Sequence, residues 1–363
     1  MNPRRRATAI AVVGTAVGAT GLGVLAAPAG AGTDPDLPPV EAQALVESVL
    51  RADVPALSGT VGLDNGLDLA ALPGLSALNS ESARVFHDGE GHSRVALERE
   101  RGELTAVLGE DALWTYESGA ESATRVDIPR GEHHRSPGAG RDVADPTALA
   151  RQFVAGAREN STVSVDGTAT VADRPAYELV LNPRPDERTL LREVRVAVDE
   201  QTRMPLRLSV FTHDTTEPAL EVGFDDLDLG AQPAHLFEFD PPEGVDVESV
   251  NPGEKGTRPD TEGSEHRPVE TVGDGWDTVL LTRLPEGALR QGSDASGPTD
   301  AGSPAGAGTA RDLLRQVGER VTGPYGSGHL ITTGAVTALV TDDGRVAVGA
   351  VPEPVLAEAL GAR

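Results

Sequence analysis

Between Arg192 and Phe211, apolar and polar positions alternate in two short runs joined by a polar turn. In the first, Val194, Val196 and Val198 fall on one side and Glu193, Arg195 and Asp199 on the other; in the second, Leu206, Leu208 and Val210 oppose Arg207 and Ser209. Successive side chains of a strand point to opposite faces, so a period of two predicts a hairpin with one apolar face. Two uses of that face stay open: one wall of a closed core, or one wall of a cavity that holds an apolar ligand.

The period becomes helical in "LPPVEAQALVESVLRADVP" (Leu37–Pro55). Ala42, Leu45, Val46 and Val49 make a stripe there, opposite Glu41, Gln43, Glu47 and Arg51. From Leu57 to Ile128, turn formers recur at Asp64–Gly66, Asp88–Gly91, Glu100–Gly102 and Gly109–Asp111, which predicts a series of antiparallel hairpins. Leu78–Phe86 reads as a loop that interrupts them. A second helix is expected after Asp145-Pro146, a cap followed by proline in the first turn, with Leu149, Ala150, Phe153, Val154 and Ala157 as its stripe. Strands then resume at Ser161–Val171, Pro175–Pro183, the opening hairpin and Leu220–Leu229, followed by a helical turn at Pro233–Phe237.

Hairpins broken by two helices predict an α+β fold, one curved antiparallel sheet with the helices over one face. This domain is placed at 40–250. A Pro/Gly-rich, acidic linker is read at 251–271 and a small C-terminal α/β domain at 272–363, with an internal disordered loop at 291–309. In that domain the pattern predicts a strand near Trp276–Leu284, a helix near Ala310–Val321, a hairpin turning at Asp342–Gly344 and a helical tail.

The first 31 residues change the picture of where the chain works. Arg4, Arg5 and Arg6 precede an Ala/Val/Gly stretch and the small-x-small site Ala29-Gly30-Ala31, which reads as a signal peptide cleaved after Ala31. Left uncleaved, the same stretch would anchor the chain in a membrane. There is no cysteine, hence no disulfide, no thiolate nucleophile and no lipid-modifiable residue at the signal junction. The 363 residues carry a formal charge of −26, which opposes nucleic acid and anionic membrane surfaces as electrostatic partners.

Candidate chemistry is sparse. Glu132, His133, His134 and Asp142 are metal-ligand types in a Gly/Pro loop without helical spacing, which reads first as a solvated loop. Asp225, Asp226 and Asp228 lack the glycine and closing glutamate of a calcium loop and read as a charged strand edge. "GHSRV" has valine where a nucleophile elbow needs glycine, and the sole lysine, Lys255, sits in the linker. No cofactor is implied and the chain is read as non-enzymatic. Aromatics are 3% of residues, so any pocket would be aliphatic and suit an alkyl chain.

Four segments in order, "EDALWTYESGA", "DPTALARQFVAGARENSTVSVDGTATVADRPAYELVLNPR", "VRVAVDEQTRMPLRLSVF" and "LFEFDPPEGVDV", resemble actinobacterial members of the outer-membrane lipoprotein carrier (LolA) superfamily. That superfamily is similar to the N-terminal domain of RseB and to LppX-type lipid-binding lipoproteins. The resemblance covers roughly residues 40–250 and implies a strongly curved antiparallel sheet, a half-barrel, whose hollow face, covered by helices, takes acyl chains. It makes Val194, Val196, Val198, Leu206, Leu208 and Val210 the candidate cavity wall. The implied role is an exported carrier or sensor of lipid or lipoprotein acyl chains. The alternative, from the two-domain layout, is an RseB-like regulator that binds a membrane anti-sigma factor. Unlike LppX-type relatives the chain has no cysteine to lipidate, and no match to the carrier's functional arginine region is found.

Overall fold

The computed structural model describes residues 35–66, 82–99, 102–128, 151, 154–156, 158–250, 270–284 and 310–361. The segments read above as a signal peptide, the His133–His134 loop, the Asp145-Pro146 cap, most of the linker and the 291–309 loop lie outside the described residues. The elements that follow all belong to one compact unit, Leu37–Arg363.

Helix α1 (Ala42–Arg51) leads into β1 (Ala56–Asn65), β2 (Ser82–Asp88), β3 (Ser93–Arg99), β4 (Gly102–Leu108), β5 (Ala112–Glu117) and β6 (Ser122–Asp127). Arg151 and residues 154–156 are helical, where the second helix was expected. Then come β7 (Ser161–Val171), β8 (Arg174–Pro183), β9 (Leu191–Asp199), β10 (Pro205–Thr212), β11 (Leu220–Leu229) and β12 (Asp246–Val250). These twelve strands form one sheet in the order β12-β6-β5-β4-β3-β2-β1-β11-β10-β9-β8-β7, open at both edges. β1 pairs with β11, and that pairing alone joins the early meander to the late one.

Turn chemistry explains the hairpins. Between β2 and β3, Asp88 Oδ1 accepts the backbone N–H groups of Glu90, Gly91 and His92, with Gly89 and Gly91 at positive φ where a side chain would be strained. Between β9 and β10, Asp199 Oδ2 accepts the N–H of Gln201 and both the N–H and hydroxyl of Thr202. The same aspartate pairs with Arg174 at the start of β8, so one carboxylate ties the turn to the neighbouring strand.

Three expectations are corrected. Ser82–Phe86 is strand, not loop: Ala83 and Val85 alternate with Arg84, a pattern hidden by the turn-forming residues before it. β11 is not the edge strand of the sheet, being flanked by β1 and β10, but Asp225, Asp226 and Asp228 lie past its last β10 pair, Arg207 opposite Gly223, so Asp226 and Asp228 pair with β1 alone. The sheet is not wholly antiparallel either, because β12 adds to β6 in parallel, Asp246 opposite Ser122 through Val250 opposite Val126.

A second sheet of six strands contains β13 (Glu270–Val272), β14 (Val279–Arg283), β15 (Glu319–Gly323), β16 (Gly326–Thr332), β17 (Thr337–Thr341) and β18 (Arg345–Gly349). Their order is β13-β14-β18-β17-β16-β15. Helix α2 (Ala310–Val317) stops short of the expected end, since Glu319–Gly323 pairs with β16 as a strand. The tail is helix α3 (Glu353–Gly361), whose Val355, Leu356, Ala359 and Leu360 pack in the second sheet's core.

Candidate functional site

The opening hairpin forms the centre of an apolar floor. Val196 stands opposite Leu179 of β8 and Leu208 of β10; Val194 stands opposite Leu181 and Val210; Val198 stands opposite Tyr177. Direct cross-strand neighbours share a face, so eight apolar or aromatic side chains from three strands meet there. Leu45, Val46 and Val49 of α1 lie on that floor, with Val154 and Trp276 beside them in one cluster. Val194, Val196 and Val198 keep 0% of their surface exposed, and so do Leu45, Val49 and Val154. The face is closed as it stands.

Five of the six predicted wall residues are brought together. Val194, Val196 and Val198 are in the cluster, and Leu208 and Val210, half-buried, pack against it. Leu206 does not join them. The β9–β10 register breaks between Pro205 and Arg207, which leaves Leu206 with no opposite residue, and it packs instead with Leu57, Val61 and Phe224.

Helix α1 is held over the floor by one hydrogen bond near each end. The Tyr177 hydroxyl donates to the Pro38 carbonyl at 3.0 Å, ahead of the helix. Arg151 donates to the Ala52 carbonyl at 2.6 Å, just past it. The second sheet also reaches this face. The Trp276 indole N–H donates to Ser161 Oγ at 2.9 Å, and Glu187 accepts the backbone N–H groups of Trp276 and Asp277. Thr189 and the N–H of Leu190 both donate to the Ala350 carbonyl.

A cavity of about 660 Å³ opens elsewhere on the main sheet, lined by Gly62, Asp64, Val171, Arg207, Glu221 and Asp225 among others, and by none of the six candidate residues. Its guanidinium is taken, since Arg207 lies 3.0 Å from Glu178 and 3.9 Å from Glu221. Three carboxylates and a paired arginine make a poor container for an alkyl chain.

Sequence reasoning missed Tyr177, Leu179, Leu181, Arg203 and Trp276. The first three were legible as alternation in "PAYELVLNP". Arg203, in the β9–β10 turn, lays its guanidinium over the Tyr177 ring at 5.2 Å, and nothing local announces that. Among the described residues no group of three or more His, Asp or Glu side chains is placed to hold a metal ion, and no helix is long and apolar enough to cross a membrane.

No family model and no curated protein matches the chain. Among solved structures, it is similar to a MucA/MucB complex from Pseudomonas aeruginosa, at TM-score 0.43 and 16% identity over 88% of this chain and 96% of that one. An uncharacterized conserved protein from Thermus thermophilus gives TM-score 0.35 and 13% identity over 58% of this chain and 99% of that one. A LolA superfamily protein from Nitrosomonas europaea gives TM-score 0.24 and 14% identity over 55% and 99%. The structural neighbours are MucB and LolA-superfamily proteins.

Proposed function

We propose that the protein is an exported, non-enzymatic carrier or sensor that takes an acyl chain between α1 and the floor formed by β8, β9 and β10. The observation that supports this is the contrast between floor and roof. Eight side chains from three strands form one uninterrupted apolar face, and the part of its cover supplied by α1 is a ten-residue helix with three buried residues and one hydrogen bond near each end. On this reading the sheet is the wall of a half-barrel and α1 is its movable lid.

Magnitudes set a condition on the ligand. Lifting α1 exposes Leu45, Val46 and Val49 at about 2 kcal/mol each, and breaks two hydrogen bonds worth about 1 kcal/mol each. A chain of about ten buried carbons returns about 8 kcal/mol at roughly 0.8 kcal/mol per CH₂, which only offsets that loss before association costs. Longer chains therefore load and short ones do not. Native mass spectrometry of protein purified from its own host should show lipid-sized adducts that organic extraction removes. A ligand-free protein that also ignores a sixteen-carbon fluorescent fatty acid sinks the proposal.

A second reading, a regulator that binds a membrane anti-sigma factor, draws on Trp276. A carrier needs only the first sheet, yet Trp276 packs the second sheet's chain segment into the same cluster as Val194 and Val196. Occupancy of the floor would then be felt by the second sheet. Pull-down of a membrane anti-sigma factor by the full chain, lost on lipid loading, tests it; capture unaffected by lipid contradicts the coupling.

A further inference from the structure

We infer that Arg203 is the headgroup subsite of this apolar floor, and that the ligand is an acyl chain ending in an anion, a carboxylate or a phosphate. The inference rests on the proposed loading of the floor and specifies its substrate class.

Position comes first. Arg203 follows the capped turn between β9 and β10, its N–H donating to the Asp199 carbonyl and its φ at +62°. Its guanidinium lies 5.2 Å from the centre of the Tyr177 ring. Tyr177 stands opposite Val198, the last valine of the row, and its hydroxyl holds Pro38 ahead of α1. The cation therefore sits where the floor ends and the roof begins. From Val198 through Val196 to Val194 the strand extends about 13 Å away from it, with an apolar side chain at each of those positions.

Charge comes second. The chain carries 57 acids against 31 basic residues, and many of its arginines are held by a carboxylate. Arg174, Arg188, Arg195, Arg207, Arg320 and Arg345 each have one. Arg203 makes no ion pair among the described residues, and its Nη1, shut off from solvent, has no hydrogen-bond partner. An Nη1 buried in this way is poorly compensated by a ring face alone, although the residue as a whole is partly exposed. Two of its N–H groups match two oxygens of one carboxylate or phosphate, with charge-assisted bonds stronger than neutral ones. An acyl chain laid along the valine row with its head at Tyr177 brings such an anion to Nη1.

The test uses the full chain and three sixteen-carbon probes delivered from cyclodextrin: hexadecanoic acid, hexadecyl phosphate and hexadecanol. The readout is the ratio of anion affinity to alcohol affinity. The wild type should favour an anion by roughly tenfold to a hundredfold. Arg203→Gln should bring the ratio to about one, and Arg203→Lys, keeping the charge without the fork, should restore part of it. Preference for only one anion names the headgroup and supports the subsite. If the wild type binds all three alike, or Arg203→Gln keeps the preference, the subsite is overturned while the apolar floor stands. If none of the three binds, the subsite falls together with the loading reading. Should Arg203→Gln fold poorly by circular dichroism, the Lys variant decides: a ratio identical to wild type overturns the role of the fork.

Discussion

The Asp199 carboxylate, with 0% of its surface exposed, receives both arms of the Arg174 guanidinium, at 2.7 and 2.9 Å. It closes the β9–β10 turn at the same time, so the hairpin that carries the valine row hangs on one acid. Asp199→Ala leaves Arg174 without its counter-charge and the turn without its acceptor, and should cost roughly 3 kcal/mol or more. Urea unfolding should show a lower midpoint with an unchanged slope.

The same residue predicts an acid limb. Burial by itself would raise the Asp199 carboxyl, but the hydrogen bonds from Arg174 and Thr202 together outweigh it and hold the group below its ordinary value. Asp88 is lowered in the same way, burial being outweighed by bonds from Glu90 and His92. A depressed folded-state value means that stabilisation is complete above the unfolded value near about pH 4 and is lost as pH falls through the folded one. Thermal midpoints measured from about pH 5 downward should drop, and Asp199→Asn should flatten that drop.

Freeing the roof should be visible without any ligand. Tyr177→Phe removes the bond to Pro38, and Arg151→Ala removes the bond to Ala52. Each change should cost about 1 kcal/mol. Amide exchange in α1 should quicken while exchange in β9 stays slow; equal acceleration in both would show that helix and floor open only together.

Substitutions in the floor should separate by size and charge. Val196 has no exposed surface, so Val196→Asp strands a charge in the core and should prevent folding, whereas Val196→Phe overpacks it at about 1–3 kcal/mol. Leu179→Ala should cost about 2–5 kcal/mol by leaving a hole. Circular dichroism should show Val196→Asp unfolded, urea midpoints rank the other two, and Val196→Phe should reduce uptake of a sixteen-carbon probe while the protein stays folded.

The second sheet should stay docked after its connection is cut. The acidic, Pro/Gly-rich stretch 251–269 is the expected site of limited proteolysis. Trp276, Glu187 and Thr189 hold the two sheets, so the fragments should co-elute in size exclusion. Trp276→Ala should release them. Gly275→Ala should act the same way, because φ is +83° there and a Cβ would lie 2.2 Å from Asn160 Nδ2.

What was legible in the sequence was local. The valine row and its partners in "PAYELVLNP" follow from a period of two, and α1 follows from its stripe, because each pattern repeats within about ten residues. Leu206 was misplaced since a register break cannot be seen in alternation. β12 escaped because its parallel partner β6 lies far earlier in the chain, Asp246 finding Ser122. Trp276 follows a linker and gains meaning only from Ser161 and Glu187. Arg203 stands out only against arginines such as Arg174 and Arg207, whose acids come from other strands, and that contrast is a fact of space and not of order along the chain.

The pairing of β1 with β11 has a kinetic side. Leu57 must find Leu229, and Asn65 must find Leu220, before the two meanders become one sheet, and β12 must still return to β6. Such long-range pairings make folding slow, because loop closure must precede the contacts that reward it. The first sheet therefore cannot be completed until Val250 has been made, and the early meander, though formed of local hairpins, waits for its late partners.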